Sequence, residues 1–397
     1  MKRLVIVATT IALIAGMVGC GPTAMTFADP NLEAAVRETI ALTEGPIYRS
    51  DLDGLTSLNA TQKSIADLTG LECCTSLTEL DLSDNQISDI STLANLTSLA
   101  GLSLRYNQIS DISPLTNLSS LTYLSLGHND ISDISTLANL TSLTELYFEW
   151  NQINDISPLV NLTDLVGLGL SGHQINDISL VVDLTKLTHL VLTDSQLSDV
   201  SPLANLRNLT DLDLGSNQIS DISSLADLTS LTHLNLYHNE ISDISPLANL
   251  TSLTDLNLAY NDISDISPLA DLTNLTELLL YTNQISDISP LANLTNLTDL
   301  SLSDNQISDV SPLAGLTNLI ELGLHWNQIS DISPLANLTS LTELRIEDNQ
   351  ISDISPLVDN EGLSEGDYVY LEENPLSSDS INIYIPQLED RGVGVRY

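Results

Sequence analysis

Apolar residues return at fixed spacings along most of this chain. In Thr78-Glu79-Leu80-Asp81-Leu82-Ser83, Leu80 and Leu82 alternate with polar residues, which predicts a short strand with one buried face. Ile87, Ile90, Leu93 and Leu96 follow at spacings that turn apolar side chains inward again. The block then repeats every 22 residues: the position of Asn85 recurs at 107, 129, 151, 173, 195, 217, 239, 261, 283, 305, 327 and 349. Those thirteen sites hold Asn eleven times, the exceptions being His173 and Ser195. A degenerate unit precedes them, with Leu58-Asn59-Ala60 and Lys63 in the Asn place, and a stretched one follows at Val369, Leu371, Asn374 and Leu376. Pro114, Pro158 and Pro246 forbid a continuous helix after the strand and favour tight turns or a short 3₁₀ segment. One unit cannot enclose its own leucines, whereas stacked units bury them continuously. With strands ~4.8 Å apart, about fifteen coils make a curved rod roughly 70 Å long.

The spacing L-x-x-L-x-L-x-x-N-x-L is the leucine-rich repeat pattern. It predicts an α/β leucine-rich repeat solenoid with a parallel sheet on the concave face and short 3₁₀ turns on the convex face. The recurring Asn amide is expected to satisfy backbone groups of its own coil and the next, since leaving them unpaired would cost about 1–3 kcal/mol each. Polar or helical caps must close the ends. Asp29-Pro30 reads as a helix N-cap and first helical residue, with Leu32, Val36 and Ile40 on one face. Near the other end, 380–391 reads as helical with a kink at Pro386, Gly392 stops it, and Val393 and Val395 suggest a last strand.

The start of the chain reads differently. Lys2 and Arg3 precede an apolar run from Leu4 to Val18 that ends at Gly19-Cys20, the layout of a secretory signal too short to span a bilayer comfortably. Met17-Val18-Gly19-Cys20 resembles the bacterial lipobox, with Met where Leu is usual, and so implies lipidation at Cys20; the alternative is ordinary cleavage after Ala28. The expected organisation is a signal peptide over 1–19, a lipidated tether over 20–28 and an N-terminal cap over 29–62. A repeat array over 63–358 and a last coil with C-terminal cap over 359–397 complete it. The implied localisation is an exported lipoprotein in the cell envelope or at the cell surface, touching membrane only through its anchor.

Charge narrows the partners. Lys+Arg number 11 against 53 Asp+Glu, a formal net charge of −42, and a surface this acidic repels nucleic-acid phosphates and anionic lipid. An apolar content of 42% argues against disorder. G-x-S-x-G, H-E-x-x-H, Walker and dinucleotide motifs are absent, and an open curved surface offers no water-excluding pocket for carboxylates such as Glu145 and Glu149. The chain reads as a monomeric binding protein, not an enzyme, with no cofactor implied.

From about residue 27 onward the chain resembles the internalin-like class of bacterial leucine-rich repeat proteins. The resemblance is carried by units of the form N-Q-I-S-D-I-S-P-L-A-N-L-T-S-L and by Phe27-Ala28-Asp29-Pro30-Asn31-Leu32-Glu33-Ala34-Ala35-Val36. It implies a solenoid that binds a protein partner on its concave side. The sequence shows no immunoglobulin-like module after the coils and no LPxTG sorting end, so a role in host-cell invasion does not follow.

Comparison among the coils marks the variable positions. Those at Glu79, Asp81, Ser83 and Asp84 vary most and should border the concave face, Ser303 included. They hold Tyr106, Tyr123, Tyr147, Trp150, Tyr237, Tyr260, Tyr281 and Trp326, together with His128, His189, His233, His238 and His325. Exposed Tyr, Trp and His supply contact area with polar handles, although β-propensity alone also places aromatics on a strand. Arg105, Tyr106, Tyr123, His128, Tyr147, Glu149 and Trp150 form one expected patch. His233, Tyr237, His238, Tyr260 and Tyr281 form a second, with His325 and Trp326 further on. Between the two patches Gly167, Gly169 and Gly172 strip one coil of side chains and predict a notch. A protein ligand is the first reading, and a carbohydrate stacked on the Tyr and Trp rows is the alternative.

Three features carry weaker chemistry. Asp recurs from Asp89 to Asp353 on the turn after each strand, where it can cap backbone amides or, in a column, bind calcium. Cys73 and Cys74 are adjacent and rarely pair with each other, so they read as a small buried thiol beside a more exposed one. His173 and Ser195, with Leu180-Val181-Val182 in place of Pro-Leu-Ala, read as drift or a local change of curvature.

Overall fold

The computed structural model describes residues 24–397 except Gln174 and Asn176. Sixteen parallel strands, from Ser57–Asn59 to Gly394–Arg396, lie in one sheet in strict chain order. Adjacent strands pair without slippage, so that Leu80 faces Leu58 on one side and Leu102 on the other. Each strand is only three residues long, because the chain must turn before Ile87 can join the core; Ser83 and Asp84 therefore lie on the bend beyond the strand Glu79–Asp81. Leu80, Leu82, Ile87, Ile90, Leu93, Leu96 and Leu99 are all buried, as are their equivalents in successive coils.

The opposite side is built from 3₁₀ segments such as Ser113–Asn117, Ser157–Asn161 and Ser245–Asn249, each with Pro in its first turn. Asp111 Oδ1 accepts from the Ser113 amide at 2.8 Å and Asp243 Oδ1 from Ser245 at 2.9 Å. These hydrogen bonds hold both carboxyls below the usual range. The Asp column thus caps the amide that opens each 3₁₀ turn, the local role its sequence position offered.

The Asn ladder forms, but it reaches backwards. Asn261 Nδ2 donates to Leu258 O in its own coil at 3.1 Å and to Leu236 O in the preceding coil at 3.0 Å. Its Oδ1 accepts from Ile241 N, again in the preceding coil, at 3.0 Å. The expectation of bonds to the next coil is corrected: the Asn stands at the start of its turn, where the earlier coil's free groups face it. Asn374 ends the series by the same geometry, bonded to Ile346 O, Leu371 O and Ile351 N. His173 keeps part of the pattern, with Nε2 2.9 Å from Phe148 O and Nδ1 3.2 Å from Asn151 O. It has no side-chain oxygen to accept an amide from the preceding coil. Ser195 reaches Thr193 O at 3.1 Å and Leu170 O at 3.4 Å. Both are buried polar substitutes that keep the reach to a carbonyl of the preceding coil and lose the bonds to that coil's amide and to the carbonyl three residues back.

The ends are closed by helices. Asp29 Oδ1 accepts from Asn31 N at 2.8 Å at the start of the helix Pro30–Thr39, while its Oδ2 accepts from Ala66 N at 2.8 Å. One carboxylate thus caps the helix and ties it to the array. A π-turn over Ser380–Tyr384 passes into an α-helix over Ile385–Glu389 at Pro386, ahead of the last strand. Two expectations need correction. Cys73 is not a more exposed thiol: it is buried and disulfide-bonded, whereas Cys74 is free and buried, and burial pushes the Cys74 thiol up to about 12. Ser303 is not an exposed residue of the concave face either, because it is 2% exposed and its Oγ lies 2.9 Å from His325 Nδ1.

Removing the Asn261 amide strands the Ile241 N–H and takes one of two ladder bonds from each of Leu236 O and Leu258 O, which keep Asn239 and Asn283. Asn261→Ala is expected to lower stability by about 1–3 kcal/mol in urea unfolding, and Lys186→Ala, an exposed side chain paired only with exposed Asp164, to stay within about 0.5 kcal/mol. Equal small losses would show that the ladder does not hold the coils together.

Candidate recognition face

The residue before each ladder position is left-handed in every regular coil. Its φ is +55° at Tyr106, +54° at His128, +56° at Trp150, +52° at His238, +53° at Tyr260 and +54° at Trp326. The turn is fixed by hydrogen bonds to the following coil, Tyr106 N to Gly127 O at 2.9 Å and Trp150 N to Ser171 O at 2.8 Å. Glycine or Asn suits such a conformation, and other residues bear about 1–2 kcal/mol of strain there. In the sequence this position looked only variable and rich in aromatics, because spacing carries no sign of φ.

Bulky rings at strained positions line up from coil to coil. Tyr106 and His128 stack with centroids 4.1 Å apart at 14°, and His128 and Trp150 continue the stack at 5.9 Å and 18°. The Arg105 guanidinium sits 4.9 Å over the Tyr106 ring. Burial, and then Arg105, hold the His128 pKa below its usual value. Tyr123 and Tyr147 make a separate tilted pair on the sheet, 6.1 Å apart. The first predicted patch is therefore two neighbouring groups of rings.

The predicted glycine notch is not empty. A methyl group at Gly172 would lie 2.6 Å from the Trp150 ring, and one at Gly167 would lie 2.5 Å from Glu145 Oε2 and Tyr147 Oη. Side chains of the preceding coil lean into the space that the missing side chains leave. The three glycines are a shelf for side chains of the first patch.

In the second patch Tyr237, His238, Tyr260 and Tyr281 are joined by edge and tilted contacts of 5.3–6.5 Å. Tyr237 and Tyr281 close over Ala259, which is fully buried between them. His233 stands apart from these rings, with Nε2 3.0 Å from Asp255, and His189 bonds its neighbour Thr188. His325 packs edge-on against Trp326 at 5.2 Å, and Trp326 Nε1 donates to Asp348 at 2.7 Å. Sequence reasoning missed a row of carboxylates. Asp255, Glu277, Asp299, Glu321 and Glu343 stand side by side on successive strands. Burial and then repulsion from Asp255, Asp299 and Glu321 raise the Glu277 pKa. A trough of about 340 Å³ runs along this row towards His325 and Arg345. The signal was present in the sequence as an acid at the same place in five consecutive units.

This geometry has known counterparts. The family model described as Leucine Rich repeats (2 copies) matches residues 53–95, 97–161 and 185–359. An internalin (inlF) from Listeria monocytogenes is 39% identical, with 82% of this chain and 96% of that one covered and a TM-score of 0.77. The chain is an internalin-like leucine-rich repeat protein. A leucine-rich repeat protein of Leptospira interrogans shares the fold at 22% identity, with 88% and 97% coverage and a TM-score of 0.78. The plant peptide hormone receptor RGFR1, solved in complex with RGF2, shares it at 20% identity, with 83% and 69% coverage and a TM-score of 0.53. A search of curated proteins finds no match.

The strain in this internalin-like face can be measured at a coil that carries no ring at the left-handed position. Thr282, β-branched and at φ +55°, is expected to gain up to about 1 kcal/mol on replacement by Gly and nothing on replacement by Val. Urea unfolding in which Thr282→Gly is the less stable variant would remove the strain argument.

Proposed function

We propose that this protein is an exported, lipid-anchored recognition module that binds a protein ligand through its concave face and performs no catalysis. The observation that carries the ligand class is the Tyr106–His128–Trp150 stack. Its rings cover one another's faces, Arg105 covers Tyr106, and Gly172 abuts Trp150. What remains open is a comb of ring edges and polar tips, which suits the mixed apolar and polar surface of a protein. A sugar stacking on aromatic rings needs open faces, which this stack withholds. The fold shared with a receptor solved with its peptide hormone agrees with this reading.

The anchor rests on Met17-Val18-Gly19-Cys20, which lies outside the described residues. Residues 1–19 would be removed on export, and Cys20 would carry the lipid at the end of a tether running to residue 28. Placement in the cell envelope, a monomeric state and the exclusion of nucleic acid, given the net charge of −42, belong to the same proposal.

Two experiments test it. A proteome pull-down beside a glycan array should yield a protein partner, and Tyr106→Ala or Trp150→Ala should weaken it by about 2 kcal/mol without lowering the melting temperature. Asn95→Ala, on the convex side, should leave binding intact; loss with Asn95→Ala but not with the double concave variant would put the recognition face on the wrong side. For the anchor, Cys20→Ala should move the protein out of the detergent phase on partitioning. Unchanged partitioning of the Cys20→Ala variant would end the lipoprotein proposal.

A further inference from the structure

The glycine shelf sets the pose of one ring differently from the rest. The Tyr147 ring runs along the next strand, with Cδ1 2.9 Å from where a methyl group on Gly169 would sit and Oη 2.5 Å from one on Gly167. The ring therefore lies along bare backbone and is partly exposed, and Tyr123 packs against it at a tilt with centroids 6.1 Å apart. Two carboxylates bracket the ring. The Tyr147 hydroxyl donates to Glu145 Oε2, and the Glu149 carboxylate lies over Gly169 at the other end. The oxygen over Gly169 is Glu149 Oε1, while Oε2, shielded from solvent and without a hydrogen-bond partner, lies at Gly127 beside the Arg105 side chain. Arg105, the cation of the neighbouring stack, is engaged over Tyr106.

We propose that Tyr147, bracketed by Glu145 and Glu149 on the Gly167–Gly169 shelf, is the seat for an arginine side chain of the protein partner. A guanidinium lies flat on an aromatic face and donates in its own plane, so it can stack on Tyr147 while its edges reach both carboxylates. A lysine ammonium is a point donor that cannot span the two. A neutral sugar could stack on the ring and donate hydroxyls to the carboxylates, but it carries no charge to offset theirs. Any side chain at Gly169 would lift the ring and close the seat, which gives the glycine coil a positioning role in recognition. The proposal rests on the concave face being the recognition face, and the two fail separately. A partner lost with the Tyr106/Trp150 double variant, in a protein that ignores arginine, would sink only this inference.

The test uses the full chain and a fluorescein-labelled probe, acetyl-(Gly-Arg)₃-Gly amide, with its citrulline and lysine counterparts, read by fluorescence anisotropy. The arginine peptide should bind about tenfold or more tighter than the citrulline peptide and measurably tighter than the lysine one. Glu149→Gln and Tyr147→Leu should each weaken it about fivefold or more, and Tyr147→Phe, which keeps the ring, by no more than about twofold. Glu277→Gln removes one charge from the separate acidic row and should change it less than about twofold. Equal binding of the citrulline peptide would overturn the proposal, as would equal loss with Glu277→Gln and Glu149→Gln, which would mean diffuse attraction to an acidic surface. If Tyr147→Leu lowers the melting temperature, Glu149→Gln and Tyr147→Phe decide the matter.

Discussion

A single side-chain amide per coil holds this molecule together. Each coil leaves backbone groups unpaired where the strand ends and the chain turns, and stacking would bury them at a cost. The ladder Asn supplies two donors to carbonyls and one acceptor to an amide, dividing them between its own coil and the preceding one. No apolar residue could do this, and few polar ones have both functions on so short a stem. The fixed register of the sheet and the identical turn in each coil follow from it, and so does the left-handed residue before it. Where His173 and Ser195 stand in, the reach to a carbonyl of the preceding coil persists because both can donate, and the bond to that coil's amide is lost.

The constraint has a consequence for recognition. The left-handed position stands at the rim of the sheet and is strained for any side chain, yet Tyr, Trp and His occupy it in six coils. A chain shaped for stability alone would place Gly or Asn there. The strain is carried where rings stack from coil to coil and meet the solvent, which ties it to what the face must present. Like-charged carboxylates placed side by side on the strands oppose folding in the same region. Burial and the repulsion that raises the Glu277 pKa both act against its charged form. Both features weaken the solenoid locally, and a continuous aliphatic core lies behind the sheet that bears them.

The glycine coil shows how neighbouring coils share a task. In the sequence Gly167, Gly169 and Gly172 are deletions of side chains and predict a gap. In three dimensions the gap is the reason Tyr147, Glu149 and Trp150 can lie down over the next strand. A long side chain on a sheet with strands ~4.8 Å apart covers its neighbour whenever that neighbour is small. The pose of a recognition residue is thus set by a different coil from the one that carries it.

The sequence by itself determined the solenoid, its period, its buried positions, the 3₁₀ side and the face bearing the aromatic groups. Each follows from local periodicity repeated many times, and a pattern that nothing contradicts leaves stacking as the one way to bury it. The helix start at Asp29-Pro30 was legible for the same reason, since capping is a contact between near neighbours. Tertiary structure alone decided which way the Asn ladder reaches, that Ser303 lies under His325, that Cys73 is buried and bonded, and that the first patch is two groups. It also decided that a left-handed backbone carries the rings and that glycines far along the chain seat Tyr147. These are contacts between residues far apart in the chain or backbone angles imposed by them, and a residue's identity fixes neither until the coils are stacked.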